Sequence, residues 1–330
     1  MSTTDLYQEL AEKVMMGHSE IVKHLFRIIA NEDEAKLMLA MPGTPEQLAE
    51  ATGRPVSDVK KSLDILFHKG LAFVSASSGT YRMVRDVGQF HDSSILWPEA
   101  TKEFHNLWKE FTDKEWGPAV KFITSIMPQP PLRVIPVEAA LEAKSQILHY
   151  ENVREIVNNA KKLAVTKCTC RVVDGKCGLP VETCIQLNRG ADYALTRGTG
   201  RAITKEEAME IVKKAEEVGL VHVTMNSDHA DHLICNCCPD CCIGLRYMIT
   251  EGSKFVAPSR FQAVIDEETC VGCETCIDRC HFHALSMQDD KARLNEEQCV
   301  GCGLCSVECP SDAISFKEVR PADFIPGKSS

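Results

Sequence analysis

All seventeen cysteines of this 330-residue chain lie between Cys168 and Cys309, and eight of them form a duplicated run. Cys270-x2-Cys273-x2-Cys276-x3-Cys280 recurs 29 residues later as Cys299-x2-Cys302-x2-Cys305-x3-Cys309-Pro310, with Glu267, Val271 and Gly272 falling on Glu296, Val300 and Gly301. Three thiolates at this spacing can wrap one corner of an iron-sulfur cube, because a short loop points all three sulfurs inward while its backbone N–H groups face the anionic cluster. A fourth thiolate has to come from elsewhere. Two such runs in tandem exceed what tetrahedral zinc sites require. Disulfides fit poorly: the total is odd, disulfide scaffolds are typically short and exported, and the polar start Met1-Ser2-Thr3-Thr4-Asp5 shows no export signal. Reduced thiolates bound to metal are the better reading, in a chain expected to be cytoplasmic.

The other nine cysteines are Cys168-x-Cys170-Arg171, then Cys177 and Cys184, then the knot Cys235-Asn236-Cys237-Cys238-Pro239-Asp240-Cys241-Cys242. Within the knot, Cys235, Cys238 and Cys241 repeat the x2-x2 spacing. This predicts a third cluster whose fourth ligand is one of Cys168, Cys170, Cys177 or Cys184, brought in by the fold. Cys237 and Cys242 would then remain with three thiols of the first group, enough for a fourth cluster with one cysteine spare. A single structural zinc site, or buried thiols that only pack, are the alternatives. His222, His229 and His232 precede the knot and could ligate metal or carry protons, although a surface or core role is commoner for histidine. Arg171 and Arg201 could supply positive charge to an anionic cluster or substrate. No dinucleotide fingerprint or P-loop pattern occurs.

Over residues 260–318 the duplicated run resembles the bacterial two-cluster ferredoxin family. In that family the fourth cysteine of each run ligates the other cluster. The resemblance therefore implies one [4Fe-4S] centre on Cys270, Cys273, Cys276 and Cys309, and a second on Cys299, Cys302, Cys305 and Cys280. His281 stands where the family pattern has proline, whereas Pro310 keeps it. The adjacent cysteine pairs of the knot invite comparison with the cysteine-rich modules of heterodisulfide reductases. Their Cys-Cys-Gly signature is replaced here by Cys238-Pro239 and Cys242-Ile243.

The elements that must position these groups can be read from periodicity and caps. Ile21, Val22, Leu25, Ile28 and Ile29 recur at helical spacing after Ser19. Thr44-Pro45-Glu46-Gln47 opens a second helix that Gly53 closes, and a third runs from Val56 to Gly70. Two strand-like runs follow, Leu71 to Val74 and Tyr81 to Val84. This order resembles a winged helix-turn-helix module, with Lys60, Lys61 and Lys69 on a solvated face of the third helix. Trp97, Phe104, Trp108, Phe111 and Trp116 mark an aromatic helical connector, and Met127-Pro128-Gln129-Pro130-Pro131 reads as the best boundary in the chain. Beyond it, residues 137–161 read as helix, Leu163 to Thr166 as strand, Thr204 onward as a capped helix and Leu220 to Met225 as strand.

The expected fold class is thus α+β multidomain: a winged-helix-like module over 1–90, a helical connector and Pro-rich linker over 91–131, a Cys-rich α/β domain over 132–258, and a ferredoxin-like dicluster domain over 259–330. Residues 1–90 carry 10 Lys and Arg against 12 Asp and Glu, a poor footprint for nucleic acid. Docking or homo-oligomerisation through that module is expected rather than DNA binding. Residues 261–330 carry 6 basic against 13 acidic residues, which suits docking to a basic patch on a redox partner and also suits a merely solvated face. No run of 18 apolar residues would cross a membrane. Together these features indicate an iron-sulfur electron-transfer protein, or an electron-relay subunit, of an anaerobic redox system. The alternatives are an iron-sulfur redox sensor that regulates transcription, and a reductase with a substrate-binding cluster in the middle domain.

Overall fold

The computed structural model describes residues 5–141, 148, 150–229 and 232–327. The chain forms two compact units, Met1–Ala119 with Val172–Asp174, and Val120–Arg171 with Gly175–Ser330. Among the described residues no helix is long and apolar enough to cross a membrane.

The first unit runs α1 (Leu6–Lys13), α2 (Glu20–Ile29), α3 (Glu32–Leu39), α4 (Pro45–Thr52), α5 (Val56–Lys69), the hairpin β1 (Ala72–Val74) and β2 (Tyr81–Met83), α6 (Val87–Ser94) and α7 (Lys102–Lys114). Its helix starts are chemically specified. Ser19 accepts from the Val22 N–H at the head of α2, and Thr44 with Gln47 closes a full capping box on α4. Gly53 and Gly70 end α4 and α5 in the left-handed region that a side chain resists. The aromatic stretch is core: Phe90 stacks on Phe26 at 4.3 Å, and Trp108 meets Phe90 and Phe111 edge-on. Lys69 departs from the solvated role expected for it. Its ammonium lies 2.8 Å from the buried Glu34 carboxylate, which also receives the Asn31 N–H at the start of α3.

α8 (Trp116–Ile126) contains the division between the units, upstream of the Pro-rich stretch read as the boundary. The Pro131 and Pro130 carbonyls accept from the Asn226 N–H and side-chain amide at 2.9 and 3.0 Å, a long-range contact that pins that stretch to the second unit.

The second unit continues with β3 (Leu132–Val134), a 3-10 turn (Glu138–Ala140), α9 (Val153–Asn159), β4 (Leu163–Lys167), α10 (Thr169–Val173), β5 (Glu182–Leu187), α11 (Arg189–Thr196), β6 (Gly200–Ala202), α12 (Lys205–Glu217), β7 (Val221–Met225), β8 (Leu233–Cys237), α13 (Leu245–Glu251) and β9 (Val256–Ala257). The helix expected over 137–161 is present only as that 3-10 turn and α9; part of the range lies outside the described residues. The strands form one seven-stranded sheet in the order β6-β4-β5-β8-β7-β3-β9. Every pairing is antiparallel except β3 with β9, so the region read as Cys-rich α/β is built on a mainly antiparallel sheet.

The duplicated run follows as β10 (Phe261–Ile265), α14 (Thr275–Asp278), β11 (Leu285–Gln288), β12 (Lys291–Leu294), α15 (Leu304–Val307) and β13 (Ile314–Glu318). α15 and β13 lie one repeat after α14 and β11. The boundary expected at 258/259 falls inside a shared apolar core, in which Val134, Val137, Val221 and Val223 pack with Phe261, Leu304 and Phe316. A buried ion pair, Arg260 with Glu151 at 2.7 Å, joins the same two stretches.

Candidate metal centres

Two cavities open within the duplicated run. Cys270, Cys273, Cys276 and Cys309 line the first, with Ile265, Met287 and Ile314 around them. Cys280, Cys299, Cys302 and Cys305 line the second, with Phe282, Leu285 and Phe316. Each cavity thus takes three sulfurs from one run and the fourth from the other. The crossing follows from the fold: β10 pairs with β13 and β11 with β12, which places the end of each run beside the loop of the other.

The glycine repeated in each loop has a steric cause. Gly272 and Gly301 adopt positive φ, and a Cβ on either would run into a carbonyl oxygen, that of Asp290 or of Phe261. Burial pushes the Cys276 thiol up to about 11 and the Cys302 thiol up to about 12, with neighbouring thiols adding to both. Exposed Cys273 moves the other way, because the Thr275 hydroxyl and N–H hydrogen-bond its sulfur. Four cysteines lining each largely apolar cavity form a donor set that fits an iron-sulfur cluster, with Arg279 the one cation at the second.

The middle-region cysteines are gathered by the sheet. Ile185 pairs with Ile234, so Cys184 and Cys235 are next neighbours across β5 and β8; Thr166 pairs with Cys184, so Cys168 follows at the same end of the strands. Cys235 and Cys237, two apart on β8, share one face. The result is a closed ring of thiol contacts running Cys168, Cys170, Cys242, Cys237, Cys235, Cys184 and back to Cys168. Hydrogen bonds from both neighbours hold Cys168 and Cys242 well below the ordinary thiol range, while the donors Cys170, Cys184 and Cys237 are pushed up. The remaining three, Cys177, Cys238 and Cys241, stand together.

This partition differs from the triple read in the knot. Cys235 joins the ring, whereas Cys238 and Cys241 turn toward Cys177. The equal spacing misleads because Cys235 obeys the pleat of β8, while Cys238 and Cys241 belong to the turn after it. The long-range contact is present in both groups, through Cys184 with Cys235 and Cys177 with Cys238 and Cys241.

Arg171 sits between the groups, fully buried. Burial works against its charge, but the surrounding Cys168, Cys184 and Cys238 more than restore it and raise its pKa. Its guanidinium donates to the Asn236 carbonyl at 3.0 Å and to the Thr183 hydroxyl. Arg201 is engaged elsewhere, by Glu182 and Glu207. Both ring nitrogens of buried His222 are occupied, Nδ1 by Asn236 Oδ1 at 2.6 Å and Nε2 by Glu216 Oε1 at 3.1 Å; His229 pairs with Asp228. The His232 carbonyl accepts from the Leu187 N–H. Sequence reading missed Asn236, whose side chain bridges His222 to the Thr183 carbonyl; its place between two cysteines of a strand was the available signal.

Residues 263–316 match the family described as a 4Fe-4S dicluster domain. No curated protein matches the chain. The chain therefore carries a segment of the 4Fe-4S dicluster type, which points to iron-sulfur electron transfer.

Proposed function

We propose that this chain is an electron-transfer protein of an anaerobic, cytoplasmic redox system. Cys270, Cys273, Cys276 and Cys309 hold one [4Fe-4S] cluster, and Cys280, Cys299, Cys302 and Cys305 a second. The observation that carries the reading is the crossing, since each cavity is completed by a cysteine of the other run. Clusters bound there exchange single electrons. The six-thiol ring holds a further iron-sulfur centre, and its sulfurs in mutual contact suit thiolates that share metal ions.

The residues around the quartets define two ends. At the first quartet Cys273 and Val271 are exposed among Glu267, Glu268 and Glu274, a face suited to a basic redox partner. The second quartet faces inward. The Cys302 carbonyl accepts from the Val137 N–H at 2.9 Å, and Arg279, beside Cys280, donates to the Glu216 and Glu217 carbonyls of α12. Electrons entering at Cys273 would pass toward the Cys-rich sheet. The N-terminal unit serves as a winged-helix-like docking or dimerisation module. Lys60, Lys61 and Lys69 of α5 each face a carboxylate, Glu46, Asp58 and Glu34, which leaves that helix a poor phosphate reader.

The test is anaerobic reconstitution of the full chain with iron and sulfide quantification and EPR of the reduced protein. About eight irons from the two quartets plus those of the ring are expected. Fewer than about six irons per chain, or no reducible cluster signal, would overturn the reading.

A further inference from the structure

Outside the ring, the Sγ atoms of Cys177, Cys238 and Cys241 all lie within 4.8 Å of one another. Thiolates bound at about 2.3 Å to one tetrahedral ion sit about 3.8 Å apart, whereas the corner thiolates of a four-iron cube sit roughly 6 to 7 Å apart. The trio has the spacing of a single ion. The dicluster quartets provide an internal contrast: among the described residues, no other three cysteine, histidine or carboxylate ligand atoms draw so close.

Local N–H donors reach two of these sulfurs, although burial raises both the Cys238 and the Cys241 thiol. Cys238-Pro239-Asp240-Cys241 forms the turn after β8, and the Cys241 N–H points at the Cys238 sulfur at 3.4 Å. The Cys177 N–H hydrogen-bonds the Cys241 sulfur, and Arg171 hydrogen-bonds that of Cys238. Around the trio pack Ala215, Leu220, Leu179 and Val218, with Cys170 of the ring beside them. Three soft donors without a carboxylate exclude magnesium and calcium as natural occupants, and thiolate sites bind Zn²⁺ more tightly than Fe²⁺.

We propose that Cys177, Cys238 and Cys241 bind one Zn²⁺ ion, separate from the iron-sulfur centres, with the fourth position filled by water or another light donor. Three thiolates and one Zn²⁺ carry a net charge of about −1, which Arg171 opposes. The ion ties the Cys177 loop to the turn after β8 and so holds shut one side of the six-thiol ring, whose Cys237 and Cys242 flank that turn.

The experiment is metal analysis and zinc X-ray absorption on the full chain, purified anaerobically with its iron-sulfur centres in place. Expected are about one zinc per chain and a shell of three sulfurs at about 2.3 Å with one lighter atom. In Cys241→Ser and Cys177→Ser, zinc should fall at least about fivefold with iron unchanged. The wild-type absorption spectrum keeps the test decisive if either variant fails to fold. Absence of zinc, a shell of four sulfurs, or loss of about four irons in either variant would overturn the proposal, the last by making the trio a cluster ligand set.

Discussion

The His281 ring donates from Nε2 to the Gly219 carbonyl oxygen at 2.7 Å. That bond explains the departure from the family pattern, in which proline follows the fourth cysteine. A proline after Cys280 would terminate the loop equally well but could not reach the Gly219 carbonyl just after α12. Arg279 works beside it, donating to the Glu216 and Glu217 carbonyls and pairing with Glu308. The Glu216 and Glu217 carbonyls at the end of α12, the first already accepting from the Gly219 N–H, thereby gain a donor from the dicluster segment. His281→Pro should keep full iron content and lose about 1 kcal/mol of stability, one hydrogen bond to a partly buried carbonyl. Chemical unfolding of the iron-loaded protein measures this. An unchanged midpoint would show the contact to be idle.

The crossing of the quartets is testable by combining variants. Cys309→Ala and Cys273→Ala belong to one cavity, so together they should lose about as much iron as either alone, about four atoms per chain. Cys309→Ala with Cys302→Ala strikes both cavities and should lose about eight. Were the runs self-contained, Cys309 would pair with Cys302 and the two outcomes would exchange places.

Two glycines with similar backbone angles should behave differently. Gly53 and Gly301 have φ of +65° and +67°, but a Cβ at Gly53 meets open space while one at Gly301 collides with the Phe261 carbonyl. Gly53→Ala is expected to cost about 1 kcal/mol, from backbone strain alone. Gly301→Ala should cost more than about 3 kcal/mol, because β10 must move for the loop to survive. Thermal unfolding of the two variants side by side decides between them, and equal losses would remove the steric account.

The legibility of this chain divides along one physical line, local against long-range information. The ends of α2, α4 and α5 were readable because Ser19, Thr44, Gln47, Gly53 and Gly70 act within a turn of themselves. The dicluster run was readable because its spacing repeats. The grouping of the other nine cysteines was not, since it depends on which strands are neighbours: Cys184 meets Cys235 only because β5 lies beside β8. The attachment of the Pro-rich stretch was not readable for a related reason, its carbonyls accepting from Asn226 almost 100 residues later. Lys69 looked solvated on its own helix, and Glu34, 35 positions earlier, buries its charge.

The last prediction concerns the polar connection behind the cysteine ring. Asn236 lies on β8 between Cys235 and Cys237, opposite His222 on β7, and it is fully buried. Its side-chain oxygen accepts from His222 at 2.6 Å, and its amide donates to the Thr183 carbonyl at 2.7 Å, one residue from Cys184. The side chain therefore fixes the spacing of β5, β7 and β8 at the point where they present Cys184, Cys235 and Cys237. Asn236→Ala removes both partners at once and leaves a buried imidazole N–H and a buried carbonyl unsatisfied, a cost of about 2 to 4 kcal/mol. His222→Ala removes one of the two bonds, so the double variant should cost about 1 kcal/mol less than the sum of the single changes. The measurement is a double-mutant cycle in denaturant on the reconstituted chain, read beside its iron content. Strict additivity would show that His222 and Asn236 do not act through each other. A loss of stability with the ring fully loaded would place the effect in the sheet rather than in metal retention.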